Sequence, residues 1–273
     1  MKRPTNHHRI LYLVNFLALI GLLLVSYLSN YLPIQGNTAG EVASKYQSLF
    51  NPADFTYTIW IIIFTFLVAH MIFLLNGSKN PNGFSAMVTS RIGITFLISC
   101  VANAAWVIAW HFEHLITTVI LLSLLLLSLI DINLRINKIG REPIEKRKYF
   151  IWLVKVPFGL YLGWICITII NNISIYLVAN GWEGFSLSEG TWTIVLIIFS
   201  GFLGLLLLSR LQSYAAAIAI AWGLSGLLYT YWSSSSFASI QYTAVFAIAL
   251  LAIGTANSYR KTAALNLKNR NHD

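Results

Sequence analysis

The stretch of sequence that decides the fold class is residues 115–135, which read LITTVILLSLLLLSLIDINLR. The first 16 of these residues carry no charged side chain, and the first charge is Asp131. A helix that crosses a bilayer core of about 30 Å needs about 20 predominantly apolar residues. The stretch therefore predicts a transmembrane helix.

Seven further apolar runs of similar length lie on either side of this stretch. The eight predicted spans, called spans 1 to 8, are residues 10–30, 55–75, 92–110, 115–135, 150–178, 191–209, 214–232 and 240–259. Span 1 is predicted to be a retained helix, because its apolar part exceeds the roughly 7–15 residues of a signal peptide. We therefore expect an all-α polytopic membrane protein with short loops and no separate soluble domain.

The composition of the whole chain agrees with this class. Charged residues make up 10 % of the 273 residues and hydrophobic residues 57 %, with a mean hydropathy of +0.70. A soluble domain carries about 25 % charged residues, so a cytosolic enzyme, a disordered chain and a secreted disulfide scaffold are excluded. Cys100 and Cys166 lie in separate apolar runs and are interpreted as buried free thiols.

The basic residues are distributed unevenly between the two sides of the predicted membrane. Of the 18 lysine and arginine residues, 16 lie before span 1, after span 8, or between spans 2 and 3, 4 and 5, or 6 and 7. Lys45 lies on the other side, and Lys155 lies inside the start of span 5. The positive-inside rule then places both termini in the cytoplasm, and we expect the plasma (inner) membrane. The net charge of +9 is interpreted as an insertion signal, so no nucleic-acid partner is predicted.

Few charged or imidazole groups are predicted at membrane depth. Asp131 is expected to pair with Arg135 at i,i+4, and Lys155 is an alternative partner. His70 in span 2 is predicted to form a hydrogen bond between helices. These positions near the cytoplasmic ends argue against an ion-coupled pump, which needs charged groups near mid-depth.

The outer end of span 3 carries two histidines, His111 and His114, on either side of Glu113. This spacing suits a metal ion or a ligand carboxylate, and it equally suits a hydrated interfacial turn. Five asparagines are predicted to form interhelical hydrogen bonds: Asn15, Asn103, Asn133, Asn171 and Asn172. Paired carboxylates, a serine–histidine arrangement and a glycine-rich phosphate loop are absent from the sequence, so no catalytic or metal-binding residue is predicted.

Aromatic and amide residues form three groups in spans 2, 3 and 5 and their approaches. The groups are Pro52, Asp54 and Trp60; Asn103, Trp106 and Trp110; and Tyr161, Trp164 and Asn172. Trp106 and Trp110 are four residues apart and share a helix face, with Asn103 one turn earlier. From spacing alone two interpretations stay open: packing in the core of the bundle, or the wall of a site for a flat apolar ligand.

These groups resemble motifs of the TspO/MBR family, the translocator or tryptophan-rich sensory proteins. That family enters its second helix through P-x7-W, and Pro52 and Trp60 keep this spacing, with Phe64 where the family has tyrosine. Its third-helix motif, L-N-x-x-W-S-x-x-F-F, is matched at Asn103 and Trp106.

The sequence departs from the family pattern at two places. Trp110 and His111 stand where the third-helix motif has two phenylalanines. The fifth-helix motif P-Y-x-x-W, with a later asparagine, is matched at Tyr161, Trp164 and Asn172. Leu160 replaces the proline of that motif, and Pro157 lies about one turn earlier.

The resemblance covers spans 1 to 5, residues 10–181, and is closest to a longer eight-span branch of the family. It implies a five-helix bundle over residues 1–181, three additional spans over 182–260 and a basic cytoplasmic tail over 261–273. It also implies an aromatic cavity covered by the loop of residues 31–54. The implied ligand-binding residues are Pro52, Asp54, Trp60, Asn103, Trp106, Trp110, Tyr161, Trp164 and Asn172.

Ligands of the family are tetrapyrroles, sterol-like lipids and flat synthetic compounds. The resemblance therefore implies a membrane receptor, sensor or carrier for a planar hydrophobic ligand such as a porphyrin, with no certain cofactor. A non-catalytic membrane scaffold or assembly subunit and a small-solute permease are the alternatives. Light-driven breakdown of porphyrins is suggested only by the resemblance to the family. We expect that this protein is not an enzyme.

Span 7 carries small residues at every fourth position, at Ala215, Ala219 and Gly223, followed by Gly226. Such a face allows close helix packing in lipid. It is predicted to dock spans 6 to 8 on the bundle, and a homodimer contact is the alternative. The predicted partners are thus the lipid bilayer, a small hydrophobic ligand and, in the alternative, a second copy of the chain.

Overall fold

A computed structural model describes residues 7–31, 37, 39–77, 83–140 and 147–270. In this part of the chain all regular structure is helical, and eight helices are long and apolar enough to cross a membrane. They are α1 His7–Tyr31, α2 Ile59–Gly77, α3 Phe84–His111, α4 Leu115–Ile139, α5 Val156–Ala179, α6 Glu189–Leu211, α7 Tyr214–Tyr231 and α8 Ala238–Arg270. The all-α polytopic fold predicted from the sequence is confirmed.

Two helices extend at least eight residues beyond their predicted spans. α3 begins at Phe84, eight residues before the predicted start, and α8 continues to Arg270. The apolar criterion stops where charged residues begin, but a helix continues through good helix formers such as alanine, leucine, lysine and arginine. α5 is preceded by a helical turn, Arg147–Phe150, and a π-helical turn, Ile151–Lys155.

The entry to α5 explains the position of His70. Pro157 has no backbone N–H and cannot donate to the carbonyl group of Leu153, four residues earlier. His70 Nδ1 lies 2.6 Å from that carbonyl oxygen. The interhelical hydrogen bond predicted for His70 is therefore confirmed, and it connects α2 to the segment that leads into α5.

α5 lies at the centre of the helices. It packs against α4, α7 and α2, and 78 % of its most apolar window is buried, compared with 28 % for α1. α1 packs mainly against α3, while α8 packs against α6 and α7. The molecule is thus arranged around one buried helix, with α1 to α4 on one side and α6 to α8 on the other.

The contact between α5 and α7 is built from small residues. A Cβ atom added at Gly163 would overlap the backbone carbonyl oxygen of Ala216, and one at Gly159 would lie 2.6 Å from Ser213 Oγ. A Cβ at Gly223 would lie 2.8 Å from the side chain of Ile167. The prediction that the small face of span 7 docks the last three helices on the bundle is confirmed, and the homodimer stays a prediction.

Asp131 and Asn133 have the predicted kinds of partner. Asp131 accepts hydrogen bonds from Arg135 Nε at 2.7 Å and from Thr95 Oγ1 at 2.8 Å, so the pairing with Arg135 is confirmed. Asn133 Nδ2 donates to the carbonyl oxygen of Phe158 at 3.0 Å, between α4 and α5. Both cysteines are buried free thiols.

Part of the charge pattern that predicts the orientation lies outside the described residues. This applies to Lys2, Arg3, Lys79, Arg141 and Lys146, and to residues 32–36 and 38 of the predicted cavity-covering loop. The orientation of the termini therefore stays a prediction.

Candidate functional site

The described part of the loop between α1 and α2 folds over one end of the bundle. We call residues 39–58 the lid. Its short helix, Ala39–Ser44, buries Val42 and Ala43 against Trp110 of α3 and Ile175 of α5. The lid then runs through Pro52 into a 3-10 turn, Asp54–Thr58, that leads directly into α2.

A cluster of polar groups ties the first half of the lid to the corner between α3 and α4. Lys45 Nζ donates to Glu113 Oε1 at 2.5 Å, and the hydroxyl group of Tyr46 donates to Glu113 Oε2 at 2.7 Å. The hydrogen bonds from Lys45 and Tyr46 lower the pKa of Glu113 below its ordinary value. Burial, together with the nearby Glu113 carboxylate, raises the pKa of Tyr46 to about 12.

A cavity of about 1010 Å³ lies beneath the lid, between α1, α2, α3 and α5. Most of its wall is aromatic or aliphatic. The aromatic side chains that line it are Tyr27, Tyr57, Trp60, Phe64, Trp106, Trp110 and Trp164. Its polar lining includes Asp54, Asn103, His111, Thr168, Asn171 and Asn172. The volume is at the upper end of the range for small-molecule sites, about 300–1,000 Å³.

Trp60 is the centre of the aromatic wall. Its ring lies 5.2 Å from Phe64, 6.2 Å from Trp106, 5.8 Å from Tyr161 and 6.4 Å from Trp164, measured between ring centroids. These distances are typical of offset and edge-to-face aromatic pairs. The rings therefore pack on one another and at the same time line an open volume. The packing interpretation is confirmed, and the ligand site stays a prediction.

Two hydrogen bonds fix the orientation of polar groups in the wall. Asn103 Nδ2 on α3 donates to the hydroxyl oxygen of Tyr161 on α5 at 2.6 Å. The indole N–H of Trp106 donates to Asn172 Oδ1 at 3.2 Å. Both bonds join α3 to α5, so the interhelical role predicted for Asn103 and Asn172 is confirmed.

Four lining side chains have a buried polar atom with no hydrogen-bond partner in the described part of the protein. These atoms are Asn103 Oδ1, His111 Nε2, Trp164 Nε1 and Asn171 Oδ1. A buried polar atom without a partner costs about 1–3 kcal/mol. Four such atoms around one cavity make this wall the least satisfied polar surface described inside the bundle.

His111 presents a hydrogen-bond acceptor. Its Nδ1 atom lies 2.7 Å from the carbonyl oxygen of Val107, one turn earlier on α3. A carbonyl oxygen only accepts, so Nδ1 carries a proton, and in the uncharged form of the ring Nε2 then has a free lone pair. His114 is exposed instead and stacks on Phe112. The two histidines are thus not brought together, and the described residues contain no group of three or more potential metal ligands.

Eight of the nine residues implied by the family resemblance line the cavity: Pro52, Asp54, Trp60, Asn103, Trp106, Trp110, Trp164 and Asn172. Tyr161 lies behind the wall, in contact with Asn103 and Trp60. The sequence analysis missed the contribution of α1, through Leu23, Ser26, Tyr27 and Ser29, and that of Tyr57 and Thr168. Thr168 lies four residues after Trp164, so helical periodicity was a usable signal for it.

The fold and the cavity define a class: a polytopic helical membrane protein with an aromatic chamber between its helices and a lid over that chamber. The sequence matches the family described as TSPO-like protein over residues 12–256, and the chain belongs to this family. This match includes α6, α7 and part of α8, so it reaches well beyond the residues 10–181 that carry the motifs. No curated protein and no solved structure matches the chain.

Proposed function

We propose that this protein binds a planar, largely apolar molecule with several polar groups in the cavity, as a membrane receptor or carrier. Membership of the TSPO-like family supports a ligand-binding or sensing role in a membrane. The observation that carries the proposal is the cavity of about 1010 Å³ with its largely aromatic wall, in which four lining side chains hold an unpartnered polar atom. The rings would contact the flat faces of a bound ligand, and a ligand that displaces the atoms covering these polar groups would supply their partners.

The number of these polar atoms favours one class of ligand over another. A sterol has a single hydroxyl group at one end and can satisfy one or two of the four atoms. A tetrapyrrole has central nitrogen atoms and, in many cases, carboxylate side chains, so it offers donors and acceptors at several points. The indole N–H of Trp164 requires an acceptor, while His111 Nε2 requires a donor. We therefore favour a tetrapyrrole over a sterol.

The edge of the cavity suits a ligand that arrives from the bilayer. Tyr27 on α1 and Ile61 on α2 both line the cavity and are 57 % and 68 % exposed. The cavity therefore reaches the protein surface between α1 and α2, on a face that is apolar enough to contact lipid. An apolar ligand dissolved in the membrane would enter between these helices without crossing water.

A titration with protoporphyrin tests the proposal. The purified protein in detergent is titrated while tryptophan quenching and the anisotropy of porphyrin fluorescence are followed together. Wild-type protein should bind, and Trp106→Ala and Trp164→Ala should each weaken binding by at least about tenfold, which corresponds to roughly 1.4 kcal/mol. The anisotropy is needed because each substitution also removes a fluorophore.

Trp152→Ala is the matched control, because Trp152 is 53 % exposed in the segment that precedes α5 and does not line the cavity. Binding by this variant should equal that of the wild type. Equal binding by all three variants would place the ligand elsewhere and overturn the proposal. Tight binding of a fluorescent sterol with no binding of protoporphyrin would overturn the choice of ligand class.

We propose binding without chemistry on the ligand. Asp54 is the only carboxylate among the described lining residues, so a pair of acid and base carboxylates is not available there. Bound protoporphyrin should then bleach under light no faster than free protoporphyrin at equal absorbance. Faster bleaching with a new product would favour an enzyme, and uptake of a small polar solute into proteoliposomes would favour a permease.

We also propose that both termini face the cytoplasm of the plasma membrane, with the lid on the opposite side. The support is the placement of 16 of the 18 basic residues in the loops and tails of one side. A fusion of a fluorescent protein to the C-terminus should fluoresce, whereas a phosphatase that is active only outside the cytoplasm should be inactive there.

A further inference from the structure

The lid has two faces, and only one of them belongs to the cavity. Pro52, Asp54, Tyr57 and Thr58 line the cavity beneath it. The opposite face of the segment 49–56 lies against α6 and α7, two of the three helices that follow the motif-bearing part of the chain. The contacts on that second face are not needed to enclose a ligand, and they call for a separate explanation.

Three side chains of α7 donate hydrogen bonds to backbone carbonyl groups of the lid, and the longest of these bonds runs from Thr230 Oγ1 to the carbonyl oxygen of Asn51 at 3.4 Å. The hydroxyl group of Tyr231 donates to the carbonyl oxygen of Leu49 at 2.7 Å. The indole N–H of Trp222 donates to the carbonyl oxygen of Thr56 at 3.0 Å. The carbonyl oxygen of Thr56 also accepts from the N–H group of Ile59 at the end of the 3-10 turn, so Trp222 is a second donor to it. These bonds attach the backbone of the lid to α7.

The backbones of the lid and α7 also meet directly. Ala53 N–H donates to the carbonyl oxygen of Gly226 at 3.3 Å. A Cβ atom at Gly226 would overlap Cγ2 of Thr56, so glycine is needed for this close approach. Phe55 lies edge-on to the ring of Trp222, with the centroids 5.4 Å apart.

α6 adds a contact at the start of the same segment. Glu189, in the first turn of α6, accepts a hydrogen bond from Leu49 N–H at 2.8 Å. Leu49 is therefore held through its N–H by α6 and through its carbonyl oxygen by α7. The segment from Leu49 to Thr56 thus has contacts at both ends and in the middle with helices that lie more than 130 residues later in the chain.

We propose that α6 and α7 form a clamp on the lid that sets how fast a ligand enters and leaves the cavity; this rests on the function proposed above. The clamp is defined as Trp222, Gly226, Tyr231 and Glu189. Because the lid borders both the cavity and the clamp, a ligand that moves the lid also changes the contacts of α7. Such a coupling is reciprocal, so the packing of α7 and occupancy of the cavity influence each other equally.

A double variant, Trp222→Phe with Tyr231→Phe, removes the two shortest side-chain hydrogen bonds from α7 to the lid and keeps an aromatic ring at each position. The matched control is Trp232→Phe with Tyr242→Phe, which removes the same atoms from side chains that are 68 % and 74 % exposed. Dissociation of protoporphyrin, followed by stopped flow, should be at least tenfold faster in the clamp variant and within twofold of wild type in the control. Equal rates in the two variants would overturn the proposal.

A second pair of variants tests the same contact by crowding. Gly226→Ala should push the lid away from α7 and accelerate dissociation by a similar factor. Adding Thr56→Ser removes the overlapping methyl group and should restore a rate within about twofold of that of Thr56→Ser alone. Failure of this rescue, in protein whose helix content is unchanged by circular dichroism, would show that the close approach does not control the lid.

Hydrogen exchange separates failure of the clamp from failure of the proposed function. Amide exchange of residues 49–56, measured without any ligand, should be at least tenfold faster in the Trp222→Phe, Tyr231→Phe variant than in its control. If protoporphyrin does not bind wild-type protein but exchange responds in this way, the clamp stands and the ligand class is wrong. If exchange does not respond, the clamp is wrong whatever binds.

Discussion

The two faces of α5 differ in a way that explains where a ligand site can form. Gly163 and Trp164 are neighbours in sequence and lie about 100° apart around the helix axis, so they belong to different faces. Gly163 touches the backbone of α7 at Ala216, while Trp164 lines the cavity between α5, α3 and α2. One face has no room for a methyl group, and the other borders a volume of about 1010 Å³.

This comparison shows that side-chain size sets the distance between helices in lipid. Between α5 and α7, glycine and alanine allow contact between the backbones, which gains dispersion energy over the length of the helices. On the other face, large rings contact one another across α2, α3 and α5 and hold the backbones apart. Rigid rings cannot fill every gap, so a cavity remains beside them.

The largest effect is expected from a substitution in the α5–α7 contact. Gly163→Leu would force a branched side chain against the carbonyl group of Ala216, and we expect a loss of about 3 kcal/mol or more, or failure to fold. Thermal unfolding in detergent, followed by circular dichroism, measures this. The control is Gly21→Ala, where nothing lies within 4 Å of the added methyl group and the change should be within about 1 kcal/mol.

An equally large side chain should be tolerated on the cavity side. Val107, on α3, lines the cavity, and Val107→Trp would place its ring in open volume. Stability should stay within about 1 kcal/mol of wild type, because no packed atoms are displaced. Protoporphyrin affinity should fall by at least about tenfold, which titration measures. If Val107→Trp is as unstable as Gly163→Leu, the cavity side does not tolerate a large side chain better than the α5–α7 contact does.

Two matched substitutions compare a partnered and an unpartnered indole group in the cavity wall. Trp106→Phe leaves Asn172 Oδ1 without its donor, so a loss of about 1–3 kcal/mol is expected. Trp164→Phe removes an N–H that has no partner, so the hydrogen-bonding contribution to the loss is absent. The difference between the two melting temperatures is the measured quantity. If Trp164→Phe is the more destabilising of the two, the predicted contrast between a partnered and an unpartnered indole N–H is wrong.

The smallest effect concerns pH at the corner between α3 and α4. Since the pKa of Glu113 is lowered in the folded protein, its contribution to stability is present above the ordinary pKa of glutamate. That contribution is lost as the pH falls through the lowered pKa, when Lys45 and Tyr46 lose their charged partner. Limited proteolysis near residues 39–46 should therefore quicken on acidification. Glu113→Gln should quicken it at neutral pH and remove the pH dependence.

The eight spans could be predicted because crossing a bilayer requires a fixed length of apolar sequence. The α5–α7 contact was predictable from one side only, through the small residues of span 7. Gly159 and Gly163 have the same four-residue spacing on the partner helix and were the missed signal. More of the cavity wall could have been predicted than the residues in the family motifs. The lining residues of α3 are at positions 103, 106, 107, 110 and 111, and those of α5 follow the same spacing at 164, 167, 168, 171 and 172.

The contacts of the lid could not be predicted in the same way. Tyr231 and Trp222 donate to carbonyl groups, which every residue has, so no residue type at positions 49 or 56 signals the partner. The contribution of α1 to the cavity wall could not be predicted for a different reason. Residues 16–25 of α1 carry no polar side chain, so that part of its sequence does not distinguish a face towards lipid from a face towards the cavity.

The long sequence separation between the lid and the helices α6 and α7 determines the order in which their contacts form during synthesis. The hydrogen bond between Leu49 and Tyr231 can form only after 182 more residues have been synthesised. At a synthesis rate of about 5–20 residues per second, this delay is on the order of ten seconds or more. During that time the motif-bearing helices can already be inserted, and the lid has its contacts with α3 and α5 but not those with α6 and α7. A newly made chain therefore passes through a stage in which the lid is attached on one side only.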